Sequence, residues 1–350
     1  MATWLGRTAD PGRVHTEGRM ARAAVEEARE SVAALLGVRP RSVIFTSGAT
    51  EAANAAVWGA TQSASGPIGC AAVEHSCVRE PSARAREVVN LTVDAFGRID
   101  VAAISAALAR VPKPVLVHCQ WANHEVGTVQ PVAAVVELCR SAGVLVHVDA
   151  AQAVGHVPVH VDDLGADLVS VSAHKFGGPA GIGALVVRRG LRLPPFILGG
   201  EQERARRGGM ENVAAIAGFG VAAAAAASSL ADEADAARQQ TSALLEAALA
   251  VPGVAGYGDP VERVPHIVCV GVEGVEAEAV LLGLDQAGIA AHSGSACSSE
   301  SLAPSPVLEA MGVDAERSLR LSVGWSTTDA DVAAFASAFG EVVARLRALR

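Results

Sequence analysis

The stretch Ser42-Val43-Ile44-Phe45-Thr46-Ser47-Gly48-Ala49-Thr50-Glu51 passes from an apolar run into small polar residues and opens on an Ala-rich segment. It reads as a strand, a tight turn and the start of a helix. Upstream, residues 19–36 form a charged, Ala-rich helical stretch that ends at Gly37. Downstream, apolar runs at 68–73, 88–91, 115–119, 144–148, 168–171 and 184–187 are separated in places by helical segments at 101–110 and 132–141. Short strands alternating with helices predict an α/β fold around a mostly parallel, seven-stranded sheet. The last run follows a Gly-rich turn closely, which suits an antiparallel strand.

After Met210 the texture changes. An Ala-rich helix is expected over 213–250, then a strand at 266–272, a helix at 277–287, a polar loop at 292–305, a helix at 306–311, a strand at 318–323 and a terminal helix at 329–349. The pattern predicts a large domain over 1–230 and a smaller C-terminal α+β domain over 231–350. A length of 350 residues suits that count, since one domain takes about 100–200.

Composition removes several function classes. Hydrophobic residues make up 51% and charged residues 19%, which excludes a disordered chain. The net charge of −9, with no long basic run, argues against a direct nucleic-acid partner. Six cysteines without a Cys-x-x-Cys pair make neither a disulfide framework nor a zinc site, so no metal is expected. The N-terminus lacks the apolar core of a signal peptide. Residues 213–227 are mostly Ala and broken by Gly218 and Gly220, short of the ~20 strongly apolar residues of a membrane span. The expectation is a soluble cytoplasmic protein without a membrane partner.

Five features point to chemistry. Only Lys113 and Lys175 break an otherwise arginine-only set of basic residues. Lys113 lies in Val111-Pro112-Lys113-Pro114, a turn. Lys175 follows an apolar strand in Ser172-Ala173-His174-Lys175. A chain that uses arginine nearly everywhere keeps lysine where an amine must lose its proton to condense with a carbonyl. Asp149 ends the run Val144-Leu145-Val146-His147-Val148, and ligands of open α/β sheets bind at such strand ends. Ser47-Gly48-Ala49-Thr50 would aim backbone N–H groups at an anion. His75 ends a strand in Glu74-His75, where it can stack on a planar group or move protons. Cys297 lies in Ser293-Gly294-Ser295-Ala296-Cys297-Ser298-Ser299, a setting that leaves a thiol accessible. Cys70, Cys119, Cys139 and Cys269 read as packing residues, Cys77 stays open between roles, and His118 and His147 read as core or supporting groups.

Together these features resemble the cysteine desulfurases of the class V pyridoxal-phosphate aminotransferase superfamily. The matching stretches, in order, are Phe45 to Glu51, Glu74-His75-Ser76, Glu125-Val126-Gly127-Thr128-Val129-Gln130-Pro131, His147-Val148-Asp149-Ala150-Ala151-Gln152, Ser172 to Lys175, Gly199-Gly200-Glu201-Gln202-Glu203-Arg204, Ser293 to Ser299 and Arg317-Ser318-Leu319-Arg320-Leu321-Ser322. The resemblance implies a fold-type-I pyridoxal-phosphate transferase, a homodimer, acting on L-cysteine. It implies that Lys175 holds the cofactor, Asp149 keeps its ring nitrogen protonated, Gln152 bonds its phenolic oxygen, and Ala49, Thr50, Ser172 and His174 cradle its phosphate. His75 would stack on the ring and serve in acid–base steps, Arg320 would clamp the substrate carboxylate, and Cys297 would take the sulfur as a persulfide, leaving L-alanine. The sulfur would pass to an acceptor protein, an iron–sulfur scaffold or a thiolation enzyme.

The chain departs from the family pattern at four places. It starts past the family's usual Asp-x-x-Ala-Thr-Thr-like segment, which leaves either a pocket lacking a wall or a start codon upstream. His124 stands where an Asn usually contacts the phenolic oxygen, with Asn123 one place earlier beside the substrate. Gly209-Met210 replaces a Gly-Thr whose hydroxyl reaches the dimer partner's phosphate, which predicts weaker cofactor binding. Ala180 replaces a lysine in the turn after Lys175. The rival readings are a selenocysteine lyase or other cysteine/cystine lyase of this fold, and a cofactor-poor homologue acting as a binding partner.

Overall fold

The computed structural model describes residues 1–7, 9–293 and 304–349. The chain divides into two compact units. The first comprises Met1–Leu91, Val101–Trp121 and Pro131–Leu230. The second takes Thr92–Asp100, Ala122–Gln130 and Ala231–Arg350, so two short excursions that precede residue 231 in the chain fold with it.

The first unit is built on seven strands: β1 (Val43–Thr46), β2 (Ile68–Ala71), β3 (Val88–Leu91), β4 (Leu116–His118), β5 (Leu145–Asp149), β6 (Leu168–Ser172) and β7 (Gly183–Val187). Their order across the sheet is β1-β7-β6-β5-β4-β2-β3. β7 runs antiparallel to both of its neighbours, β1 and β6, while β3, β2, β4, β5 and β6 are parallel. The expected sheet, with its one reversed strand, is therefore present. β6 and β7 are buried at every residue, which is why they read as unbroken apolar runs rather than alternating ones.

With 3% aromatic residues, the core is closed by small side chains. Ala52, Ala56, Val57 and Ala60 of the helix Ala49–Ser63 pack against Ile44, Ile68, Leu116, Leu168 and Leu185 of the sheet. In the helix Thr16–Leu36 the buried stripe Ala21, Val25, Ala28, Val32 and Leu36 follows helical spacing. Gly220 of the helix Val213–Leu249 lies so close to it that an added Cβ would stand 2.5 Å from the Cα of Ala28. That long helix is, by length and composition, apolar enough to cross a membrane, contrary to the sequence expectation. Its packing gives another reason for the apolar residues: Ala215, Ile216, Phe219 and Ala223 are buried, and the Phe219 ring meets Phe45 at 6.1 Å and Phe176 at 5.8 Å.

The second unit has a four-stranded antiparallel sheet of β8 (Val254–Tyr257), β9 (Ile267–Val272), β10 (His292–Ser293) and β11 (Ser318–Ser322) in the order β10-β11-β9-β8. Val268, Val270, Leu319 and Leu321 form its core with Val280 and Leu284 of the helix Ala277–Gln286 and with Phe335, Phe339 and Val343 of the helix Asp329–Ala348. Thr328 and Asp331 start the latter with a reciprocal capping box. The excursion turns are tied by side chains: Gln130 accepts from the Ile99 N–H and donates to the Gly97 carbonyl, both at 2.8 Å.

Candidate functional site

The parallel strands of the first unit deliver polar residues to one edge of the sheet, the carboxyl edge where α/β proteins bind ligands. β5 ends in Asp149, only 7% exposed. Its Oδ1 accepts from the Ala151 N–H at 3.0 Å and from the Ser170 hydroxyl at 3.3 Å. The backbone is pinned on both sides: the Trp121 N–H donates to the Asp149 carbonyl, and the Ala150 N–H to the Ser170 carbonyl. Among the described residues no cation pairs with this carboxylate. A buried carboxylate is costly without a positive partner, so the position suits a ligand that brings one. Gln152, also buried, follows in the same turn.

β6 ends in Ser172 and runs into the short helical turn Ala173–Phe176, closed by Gly177 in the left-handed region. Ser172 Oγ and His174 Nδ1 are 2.9 Å apart. Burial, then the neighbouring Lys175 charge, lowers the His174 pKa. A neutral imidazole that accepts the Ser172 proton at Nδ1 carries its own on Nε2 and offers it outward. His156 Nε2 lies 2.9 Å from the Lys175 carbonyl oxygen. Gly155, at φ +82°, lets Phe176 approach to where a Cβ would be 2.4 Å away. The turn that carries Lys175 is thus fixed from behind.

β1 leads into Ser47-Gly48, and Gly48 starts the helix Ala49–Ser63 without a side-chain cap. The N–H groups of Ala49 and Thr50 open that helix, at its positive end. Ser47 N–H instead donates to the Glu51 carboxylate at 2.8 Å, which Arg207 clasps at 2.9 and 3.0 Å. Burial opposes the Glu51 charge, but Arg207 and the Ser47 N–H outweigh it and hold its carboxyl below the usual range. Gly183 completes the cradle. A Cβ there would sit 2.4 Å from the Val171 carbonyl oxygen and 2.7 Å from the Gly48 Cα. Only hydrogen lets β7, the end of β6 and the helix start meet so closely. The first-turn N–H groups and the His174 Nε2–H, its ring held by the Ser172 hydroxyl, form a donor set suited to a phosphate.

His75 follows β2 and caps the helix Ser76–Ala85, its Nδ1 accepting from the Cys77 N–H at 3.1 Å. The strand-end position read from the sequence is therefore a helix cap, which fixes the ring and directs Nε2 away from the helix start. Deeper in the sheet, His118 and His147 are cross-strand partners on β4 and β5, fully buried, with Nδ1 atoms 2.9 Å apart. Ser82 gives its proton to the Val78 carbonyl and meets His118 Nε2 at 3.0 Å. The Ser82 oxygen then accepts from Nε2–H, so His118 Nδ1 accepts from His147 Nδ1–H. Burial pushes the His147 pKa down to about 4 and, with His147 beside it, lowers that of His118 well below its ordinary value.

The second unit brings together Asn123, His124 and Arg320. Asn123 Oδ1 accepts the N–H groups of Glu125 at 2.8 Å and Val126 at 2.9 Å, closing the turn. Arg320, on β11, donates from Nη1 to the His124 carbonyl at 3.0 Å. It also lines a cavity of about 430 Å³ with Ile289, Leu321 and Phe335. Cys297 lies outside the described residues. Among the described residues no cluster of three or more His, Cys, Asp and Glu could hold a metal.

Several supporting residues carry no local sequence signal. Glu51 and Arg207 are 156 positions apart. Gly183 looks like any strand-opening glycine. Ser170 lies in a strand buried at every residue, with nothing to mark it. Only the juxtaposition of elements assigns them work.

Comparison with known proteins adds family context. Residues 5–335 match the model of the aminotransferase class-V family. A cysteine desulfurase of Gluconacetobacter diazotrophicus is 40% identical over 95% of this chain and 86% of its own. The X-ray structure of a NifS-like protein from Rickettsia africae superposes with a TM-score of 0.90 at 29% identity, covering 97% of this chain and 93% of the other. SspA, solved in complex with cysteine, superposes with a TM-score of 0.77 at 30% identity over 90% of each chain.

Proposed function

The chain belongs to the aminotransferase class-V family and within it to the cysteine desulfurases, and from that membership we propose that it uses pyridoxal phosphate, held by Lys175, to take sulfur from L-cysteine onto Cys297 and leave L-alanine. The observation that carries the assignment of residues is Asp149. It is a buried carboxylate without a cationic partner among the described residues, on the strand next to the one that leads into Lys175. A protonated pyridine nitrogen is the cation that completes it, and the donors after β1 and β6 suit the phosphate.

When bound, the cofactor supplies an electron sink for the pair left at the substrate Cα. The side chains do the rest. Lys175 Nζ would hold the cofactor covalently and would serve as the base that moves the proton at the substrate Cα. The Asp149 carboxylate holds the proton on the ring nitrogen. Gln152 and His124 address the phenolic oxygen, while Ala49, Thr50, Ser172 and His174 hold the phosphate. His75, oriented by its helix-cap bond, covers the ring and transfers protons through Nε2. Arg320 takes the cysteine carboxylate in the planar fork that suits such pairing, and Asn123 shapes the turn beside it. Cys297 Sγ accepts the substrate sulfur as a persulfide. The proposed setting is a cytoplasmic homodimer that hands this sulfur to an iron–sulfur scaffold or a thiolation enzyme.

Borohydride reduction of the loaded protein, followed by peptide mapping, tests the assignment. The pyridoxyl group is expected on Lys175. Attachment at Lys113, or at neither lysine, overturns it.

A further inference from the structure

Glu125 is a buried carboxylate with two different neighbours. One oxygen accepts the Ser305 hydroxyl at 2.5 Å. The other stands 3.4 Å from His124 Nε2, and both side chains are less than a tenth exposed. The shape of the turn does not need this carboxylate, because the Asn123 carboxamide oxygen already accepts the Glu125 and Val126 N–H groups. The carboxylate is left to act on the His124 ring.

A neutral imidazole with its proton on Nε2, facing Glu125, presents a lone pair on Nδ1. That is the wrong polarity for an anionic oxygen. Burial disfavours a charged ring, but a carboxylate at this distance works against that and favours the doubly protonated ring, which donates from both nitrogens. We propose that Glu125 is a positioning residue that orients His124 and keeps its imidazole protonated at neutral pH, so that His124 acts as a hydrogen-bond donor where the family commonly uses an asparagine. The inference rests on the reading in which His124 addresses the cofactor's phenolic oxygen.

The other charged and titratable groups around the pair bear on its titration. Arg320, bound to the carbonyl of His124 itself, opposes the second proton. His292 is the cross-strand neighbour of Arg320 on one side and Cys269 on the other. Burial, then the Glu125 charge, pushes the Cys269 thiol well up, so it adds no charge at neutral pH. Ser305, the N-cap of the helix Pro306–Met311, binds Glu125 without neutralising it.

The test follows the imidazole nitrogens by NMR in the cofactor-loaded full chain carrying ¹⁵N-labelled histidine, with H124N assigning the resonance. At pH 7.5 the wild type is expected to show both His124 nitrogens protonated. E125Q keeps a partner for Ser305 and removes the charge. It should lower the titration midpoint by about one unit, a tenfold loss of proton affinity. S305A, which keeps the charge, should leave the midpoint in place. The pH profile of kcat/KM for cysteine should lose its alkaline limb in H124N and show it about one unit lower in E125Q. A neutral His124 in the wild type at pH 7.5 overturns the proposal even if E125Q does not fold, and so does an unchanged midpoint in E125Q. Failure of the desulfurase reading is a separate result: wild-type protein would yield no alanine from cysteine, while the imidazole titration, measured without substrate, would stand.

Discussion

Arg29 and Glu203, 174 positions apart, meet in a doubly hydrogen-bonded ion pair at 2.7 Å with both side chains buried. The pair also closes the outer edge of β1. Glu203 accepts the Phe45 N–H at 3.0 Å, Arg29 donates to the Val43 carbonyl at 3.0 Å, and the guanidinium lies 4.7 Å from the Phe45 ring centre. β1 is the last strand of its sheet, so these side chains satisfy backbone groups that would otherwise form an open edge. Glu203 does so from a strained place. Glu203, Arg204 and Ala205 have φ of 48°, 60° and 59°, a left-handed conformation that costs non-glycine residues about 1–2 kcal/mol each.

Breaking one half of this pair is expected to be worse than removing both halves. R29L leaves Glu203 buried and unpaired, at a cost of about 3–5 kcal/mol. R29L/E203L removes both charges and should destabilise less than the sum of the single variants. Urea denaturation of the four proteins measures the coupling. Additive losses would mean that the two side chains act independently.

The buried histidine pair gives the protein an acid-sensitive core. His147 is depressed from 6.5 to about 4 in the folded state, so it stays neutral there while the unfolded chain takes up a proton. The contribution is complete above pH 6.5 and is lost as pH falls toward 4. For His147 alone this is about 2 kcal/mol at pH 5 and about 3 kcal/mol below both values. His118, lowered by the same burial, adds in the same direction. Denaturation midpoints at pH 7.5 and 5.0 should differ accordingly, and H118L/H147L should flatten the difference. An equal pH dependence in that variant would place the acid sensitivity elsewhere.

The sheet strands and the end of β5 were legible because burial on both faces writes an unbroken apolar run, and a carboxylate at the end of such a run stands out. Lys175 was legible through rarity alone. The helix Ser76–Ala85 was not, since Pro81 and its mean polarity hide the period, and His75 consequently read as a strand end. The excursions 92–100 and 122–130 fold with the second unit through contacts such as the Val129 N–H to the Glu262 carbonyl. Local periodicity reports which face of an element is buried. It does not report which distant residue covers that face, so Arg29–Glu203, Glu51–Arg207 and Glu125–Ser305 left no trace in it.

Gly183 links that long-range geometry to cofactor retention. An alanine Cβ would clash with the Val171 carbonyl and with the backbone of Gly48, none of which is a flexible side-chain end. G183A is expected to cost about 1–3 kcal/mol of stability. It should also push the start of the helix Ala49–Ser63 away from Ser172, weakening pyridoxal-phosphate binding about tenfold or more, the effect of losing roughly one hydrogen bond's worth of free energy. Titration of the cofactor-free protein by absorbance measures this. Unchanged affinity would remove the helix start from the phosphate site.

The sulfur-accepting thiol can be found by elimination and then by substitution. A thiolate, not a thiol, is the nucleophile. Burial raises the thiols of Cys70 and Cys119 well above their ordinary value, pushes Cys139 up to about 12, and raises Cys269 further. Two cysteines remain. Cys77 is half-buried in the first turn of the helix Ser76–Ala85, packed beside Cys70 and Val78. Cys297 stands among small polar residues in Ser293 to Ser299. Sulfur transfer forms an S–S bond between the protein thiolate and the substrate sulfur as the substrate's C–S bond breaks, so the acceptor must reach that sulfur. C297A should therefore keep the bound cofactor and its colour, bind cysteine, and form no persulfide, with alanine release falling to a small residue. C77A should retain most activity. Alanine released at the wild-type rate by C297A would mean a lyase that uses no protein thiol. A persulfide mapped to Cys77 in the wild type would move the acceptor to the helix start and leave the reaction class unchanged.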